Sequence, residues 1–341
     1  MKTGLKMALT AVLCVLILIV ASGVGSVGIS PADILKIFNN KLFAAPLGGI
    51  ADITADILWN IRLPRSLMAF LVGSALAASG TVMQSVLRNP LASSYTLGVS
   101  SGASLGAAIV ILSGAALSSF AGMFTLPLVG FIFGLGTVFL AMGLTARFDC
   151  NMENHTIVLV GMVLSLFVNA VLTLVTALSR EHLQQLVFWQ MGSFSAKDWT
   201  HVAVVLPILI VCLLYLMFFT NEMDIMTFGE EQALSSGVDI KKVKFRLIAV
   251  SALLTGASVA FCGTIGFIDL IAPHVVRKIF GSSHRLVLPA SALFGGAFMA
   301  AADLVSRTVL APQELPVGAV TALIGAPFFA YIYFKKRGRA I

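Results

Sequence analysis

The chain has 341 residues, 58% of them hydrophobic and only 11% charged, with a mean hydropathy of +0.99. A soluble domain carries roughly 25% charged residues, so a water-soluble globular fold is excluded. The apolar residues gather in blocks of ~20, long enough to cross a ~30 Å hydrocarbon core as helix, where a membrane β-barrel would show short alternating segments.

About ten spans are expected, near 5–27, 66–86, 93–112, 123–144, 156–178, 200–219, 246–264, 267–280, 286–305 and 316–334. In lipid each span must satisfy its own backbone polar groups, so the expected fold class is all-α, a single polytopic domain over residues 1–341. The first block follows Lys2 and Lys6, is long, and has no A-x-A site after it, so it is expected to be retained as a span. Between the first two spans, Ser30-Pro31-Ala32-Asp33 has the chemistry of a helix start, with an N-cap hydroxyl, proline at the first position and a carboxylate near the positive dipole end. Ile34, Ile37 and Phe38 then predict a short helix lying on the surface. Span eight is interrupted by Gly263, Gly266 and Pro273 and has the weakest hydrophobic run.

The net charge of +7 suggests a nucleic-acid ligand at first sight, but the cations lie between the apolar blocks, where topology explains them and nucleic acid does not. With the N-terminus in the cytoplasm and the spans alternating, fifteen of the twenty-two Lys and Arg residues fall inside and seven outside. Both termini are therefore expected in the cytoplasm. Gly73, Gly80, Thr81 and Pro90 recur as Gly256, Gly263, Thr264 and Pro273, each 183 positions later, as do Gly98 and Gly281. An odd number of spans separates the copies, which predicts an inverted repeat of the kind common in transporters. Cys14, Cys150, Cys212 and Cys262 stand singly and the histidines show no ligand spacing, so neither a disulfide framework nor a metal site is expected. No GxxxxGK[ST] loop is present, so the chain is not expected to bind and hydrolyse ATP itself, and nothing reads as a catalytic cluster.

Arg62-Leu63-Pro64-Arg65, Gly80 with Gln84, Asn89-Pro90-Leu91-Ala92 and Leu97-Gly98-Val99-Ser100-Ser101-Gly102-Ala103 form a series of runs. They resemble the FecCD-type permeases, the membrane subunits of importers for ferric siderophores, haem and cobalamin. Further along come Trp189-Gln190-Met191-Gly192-Ser193, Gly266-Phe267 with Ala272-Pro273-His274 and Arg277, and Ala302-Asp303 with Arg307. Glu314-Leu315-Pro316-Val317-Gly318 leading to Gly325-Ala326-Pro327-Phe328-Phe329 completes the set. The resemblance implies a type II ABC importer of the bacterial cytoplasmic membrane: two permease subunits of ten helices each, identical or not, around one pathway. Two ATP-binding cassette subunits would use ATP and Mg²⁺ below, and a substrate-binding protein would dock above; the permease itself would hold no cofactor. The cargo implied is an iron chelate, a ferric siderophore first, then haem or cobalamin, with an oxyanion such as molybdate left open. An ion-coupled secondary transporter is the rival reading.

The resemblance also implies roles for particular residues. Gly229, Glu230, Glu231, Ala233 and Gly237 lie in a short inner helix, with acids in its first turn and a glycine stop, that would couple to the ATPase; the small Ala233 would enter a cleft on that partner. Ser236 stands where the family more often has leucine. Asn89 and Leu91 at one span end, with Asn154 and His155 at another, would form a cytoplasmic gate. Arg62, Arg65 and Arg307, outside against the prevailing bias, would receive acidic side chains of the binding protein, for which guanidinium geometry is suited. Asp269 departs from the family; it reads either as an acidic lining of the pathway or as a structural pair near a span end.

Overall fold

The computed structural model describes residues 3–25, 28–113, 120–178 and 182–337. Lys2, Arg180 and Arg339, which entered the charge count above, lie outside them. The described chain is helical and contains fifteen α-helices: α1 (Thr3–Gly23), α2 (Pro31–Phe43), α3 (Asp52–Asp56), α4 (Leu63–Val86), α5 (Val99–Leu112), α6 (Phe120–Phe148), α7 (Asn154–Leu178) and α8 (Leu183–Gln190). There follow α9 (Trp199–Met217), α10 (Thr220–Thr227), α11 (Glu230–Ser235), α12 (Ile240–Cys262), α13 (Ile268–Phe280), α14 (His284–Thr308) and α15 (Val317–Arg337).

Ten of these, α1, α4 to α7, α9 and α12 to α15, cover the ten expected spans. Seven helical stretches among the described residues are long and apolar enough to cross a membrane; one of them runs continuously from Asp52 through a π-turn at Ile57–Arg62 into α4. The other three are α5, α13 and α15, and α13 has only 13 residues. Apart from the extension before α4, the largest boundary differences are at α5, which begins six residues after the expected span, and at α12, which begins six residues before it because Asp239 caps it by accepting the Lys242 N–H. The basic run that reads as loop is thus the first two turns of the helix. At α2 the structure follows the expectation: Ser30 Oγ accepts the Asp33 N–H, Pro31 opens the helix, and Ile34 and Ile37 are buried.

Helix α4 is the central pillar. All of its residues but Leu67 and Phe70 are buried, and it packs on α14, α12, α13 and α9. Without a hydrophobic drive between helices in lipid, such contact depends on small residues that let backbones approach. Gly73 of α4 faces Gly295 of α14 so closely that a Cβ on either would overlap backbone or Cβ atoms of the other helix. At Gly80 a Cβ would overlap the Asp269 carbonyl where α4 crosses α13.

The internal echo survives at the level of helices and not of residues. Helices α4 to α7 have 24, 14, 29 and 25 residues, and α12 to α15 have 23, 13, 25 and 21. Arg88, just past the end of α4, and Ile240 and Lys241, at the start of α12, line one cleft, so the two series run in opposite directions. The 183-residue offset does not relate equivalent places, however: Gly80 is inside α4 whereas Gly263 terminates α12, and Pro90 is in a loop whereas Pro273 is inside α13. Gly98 and Gly281 share a positive φ, but Gly98 immediately precedes α5 whereas Gly281 ends α13.

Replacing Gly295 by Ala should lower the melting temperature of the detergent-purified protein, reflecting about 1–3 kcal/mol of overpacking against atoms that cannot move aside. Gly143→Ala, where no atom lies within 4 Å of the new methyl, should leave it unchanged or slightly raised.

Candidate functional site

Two irregular segments interrupt the bundle, residues 87–98 before α5 and 263–267 before α13. Such backbone is tolerated at membrane depth only where protein or water satisfies it. Here the segments satisfy each other. The Tyr95 hydroxyl donates to the Ile265 carbonyl at 2.8 Å, Ser100 and Thr264 share a hydroxyl bond of 3.0 Å, and Ser93 donates to the Asp269 carboxylate. Gln84 Nε2 donates to the Asp269 carbonyl at 3.2 Å. Asp269 is therefore enclosed in the first turn of α13 and paired with a serine, which matches the structural-pair reading and not a lining residue of this chain. Beside this junction lies a cavity of about 280 Å³ lined by Ser100, Ser101, Ser104, Ser165, Asn169 and Gln190 among others, polar and without a formal charge.

A wide cleft opens at the end of the bundle that carries α11. The cleft, of about 930 Å³, is bounded by Arg88, by Asn151, Glu153, Asn154 and His155 of the α6–α7 connection, and by residues of Phe228–Leu234 and Asp239–Lys241. Helix α11 has Glu230 and Glu231 in its first turn. It stops as expected at Gly237 (φ +82°), where the Gly237 N–H donates to the Leu234 carbonyl and the Val238 N–H to the Ala233 carbonyl. One expectation needs correction: Ala233 faces inward and is fully buried, while Leu234 is 61% and Phe228 74% exposed. A helix of under two turns has no periodicity by which sequence could orient it. The exposed face of α11 carries Leu234 among the polar Glu231, Gln232 and Ser235, with exposed Phe228 just before the helix.

The expected gate residues divide. Asn154 and His155 line the cleft, His155 79% exposed beside Glu153 at 3.2 Å. Asn89 and Leu91 are also exposed, but Asn89 turns back to accept the Leu91 N–H and the pair lines a different surface. Within one chain the four do not share a lining.

The connection of residues 149–153 is a tight turn. Asp149 accepts the N–H groups of Glu153 (2.8 Å) and Asn151 (2.9 Å), and these two bonds hold its carboxyl below the usual carboxylate range. Helix α10, just before α11, is fastened to the bundle. Asp224 accepts the backbone N–H of His284 at 2.9 Å and its ring Nδ1–H at 2.5 Å, and the far side of that ring meets Ser85. Arg277 donates to Gln84 Oε1 at 2.5 Å and to Ser85 Oγ at 3.3 Å. Sequence reasoning quoted Gln84 and Arg277 as matching residues without pairing them, and passed over Asp224 and His284.

At the opposite end the three arginines are held inward. Arg62 is buried and donates to the Gly23 carbonyl at 3.0 Å. Arg65 forks onto Asp303, with contacts of 2.9–3.2 Å, and onto Glu314 at 2.7 and 3.1 Å. Arg307 approaches Asp303 at 3.5 Å and donates to the carbonyls of Ala21 and Val24. Within the chain these groups, expected to receive a partner's carboxylates, bind α1, α4, α14 and the α14–α15 connection together. Asp303 and Glu314 were the available signal, since both stand in matching motifs.

A helical bundle with an inverted helix series, buried irregular segments and a short exposed helix at the rim of a cleft defines a polytopic membrane permease. The comparisons make the family plain: the FecCD transport family matches residues 12–335, and the chain belongs to it. The chain is 38% identical over 308 residues to the cobalamin import system permease protein of Halobacterium salinarum, covering 88% of this chain and 79% of that one. It is 33% identical over 330 residues to the hemin transport system permease protein of Yersinia pestis, covering 95% of each. Among solved structures, one described as an inward-facing conformation of a metal-chelate type ABC transporter superposes with a TM-score of 0.82 at 30% identity, covering 96% of this chain and 97% of that one.

Because Asp303 is wholly buried and Arg65 nearly so, Asp303→Asn should destabilise the purified protein by about 3–5 kcal/mol, read as a large loss of thermal stability in detergent. The paired replacement Arg65→Met with Asp303→Leu should recover part of it, since the buried guanidinium leaves together with its buried partner, while Glu314 is partly exposed to solvent and Arg307 keeps its bonds to the Ala21 and Val24 carbonyls.

Proposed function

We propose that this chain is the membrane-spanning permease subunit of a binding-protein-dependent ABC importer for a metal chelate. The observation that carries the reading is the family match over nearly the whole chain, joined to a cleft rimmed by a short exposed helix bearing Leu234 at one end of the bundle. In this reading the α11 end is cytoplasmic, as the excess of lysine and arginine there favours, and ATP and Mg²⁺ are used by two separate ATPase subunits seated on α11. Leu234 and Phe228 supply the desolvated anchor such an interface needs, with Glu230, Glu231 and Gly237 shaping the helix that presents it. Asn154 and His155 stand at the mouth of the pathway, and Asn89 and Leu91 flank it from a second surface. A second permease subunit completes the pathway, and a binding protein docks over the opposite end, where the arginine cluster sets the shape of the rim.

The uncharged, hydroxyl-rich surface beside Tyr95 and Thr264 suits, as one wall of a pathway that a second subunit completes, a chelate whose metal charge is neutralised by its own ligands, such as a ferric siderophore, haem or cobalamin. Relatives named for cobalamin, hemin, siderophore and molybdate transport span that choice. The cargo reading is tested by thermal shift of the cognate binding protein: stabilisation by a ferric siderophore, haem or cobalamin is expected, and stabilisation by molybdate alone would replace it. The partner reading is tested at α11. Leu234→Arg should reduce co-purification of the ATPase subunit by roughly tenfold or more, as loss of an interface anchor does. Retention of the ATPase at the wild-type level would remove α11 from the contact.

A further inference from the structure

Lys244 is wholly buried, although it stands in the run Lys241-Lys242-Val243-Lys244-Phe245-Arg246 whose other cations suit a solvated helix start. Its ammonium donates to Glu230 Oε1 of α11 at 2.7 Å and to the Met152 carbonyl of the α6–α7 connection at 2.9 Å. A buried ammonium is costly unless paired and hydrogen-bonded, so this group holds both partners in place. Each partner leads somewhere. Glu230 is in the first turn of α11, and Met152 is two residues before α7 begins at Asn154.

We infer that Lys244 is a positioning residue that makes α11 and the start of α7 move as one body, so that displacement of α11 by the ATPase reaches the pathway through α7. The inference rests on the reading of α11 as the ATPase contact. Three features of the geometry support it. The turn that receives the Lys244 bond is stiff: Asp149 fixes two of its N–H groups, the Met152 N–H donates to the Asp149 carbonyl at 3.0 Å, and Met152 sits at φ +52°, a region a non-glycine residue occupies only when its surroundings hold it there. The turn runs directly into α7, with the Ile157 N–H on the Glu153 carbonyl at 3.0 Å. Finally, the lysine's own backbone belongs to a well-embedded helix: over its most apolar stretch α12 is 67% buried in the chain, against 17% for α7. The fixed helix therefore supplies a pivot, the four-carbon stem a short arm with rotatable donors, and the weakly embedded helix the part that yields.

The experiment uses the complete importer, this chain with its ATPase and binding protein, in lipid nanodiscs and without cargo. Exposed Cys150 is replaced by Ser, and spin-label pairs are placed in one copy per complex by Ser235→Cys on α11, Leu159→Cys on α7 and Lys278→Cys on α13 as reference. Distances are measured nucleotide-free and after trapping with ATP and vanadate. In the otherwise wild-type chain, 235–278 and 159–278 should both shift on trapping while 159–235 stays constant. In Lys244→Met, 235–278 should still shift and the 159–278 shift should be lost; Lys244→Arg, which keeps the charge and the donors, should restore it. An unchanged 159–278 shift in Lys244→Met overturns the inference. Should Lys244→Met fail to assemble, Glu230→Ala, which frees α11 and leaves the Met152 bond, is read by the same criterion, and an unchanged shift there overturns it as well. If 235–278 does not shift even without the Lys244 substitution, it is the ATPase-contact reading of α11 that fails, and the two failures are distinct.

Discussion

The approach of α4 to α14 and α13 sets the geometry of the remainder of the bundle. Lipid tails are as apolar as the side chains they would displace, so helices gain little from merely being apolar and must instead come close. Gly73 against Gly295 and Gly80 against the Asp269 backbone make that closeness possible, and they draw α13 down onto α4 at a point where its first turn needs polar company. Gln84, Ser93 and Tyr95 provide it. Thus a steric condition on three glycines determines where irregular backbone can lie, and so where a polar cavity without formal charge can open beside it.

The two ends of the molecule use their charges differently. At the α2 end, Arg65, Asp303 and Glu314 are spent on one another, with Arg62 and Arg307 anchored on the carbonyls that end α1. At the α11 end the polar groups are split between fastenings, such as Asp224 on His284 and Lys244 on Glu230, and an open cleft where Asn154 and His155 face solvent. One end is closed by its ion pairs and the other is tied together while staying accessible, an arrangement suited to a protein that must be pushed from one side.

Much of this was legible in the chain. Apolar block length located every helix assigned to a span, because lipid leaves backbone no alternative, and the Ser30 cap and Gly237 stop were readable because capping is local chemistry. What could not be read depends on contact at long range. Arg65 and Asp303 are 238 residues apart, so nothing local distinguishes an arginine bound inside from one waiting outside. Lys244 looks like its neighbours Lys241 and Lys242 until α11 and the Met152 turn fold over it. Ala233 and Leu234 differ in exposure by a rotation that a six-residue helix does not encode. The residue-level repeat failed for a related reason: glycine at a fixed offset can serve a helix crossing in one copy and a helix end in the other, while helix lengths, which the bilayer constrains, repeat faithfully.

The thirteen residues of α13 have a consequence for biosynthesis. At 1.5 Å per residue the helix is only about 20 Å long, short of the ~30 Å hydrocarbon core, and it carries Asp269, a residue that insertion disfavours by about 2.5–3.5 kcal/mol at mid-span. Alone, such a segment does not partition into the bilayer as it leaves the ribosome. Its polar groups find their partners on α4 and the turn before α5, which are already made, whereas its return across the membrane is completed by α14, which is not. Integration of α13 is therefore expected to wait on the synthesis of the following helix, so that α13 and α14 enter the membrane together, against a scaffold that α4 and α5 have already laid down.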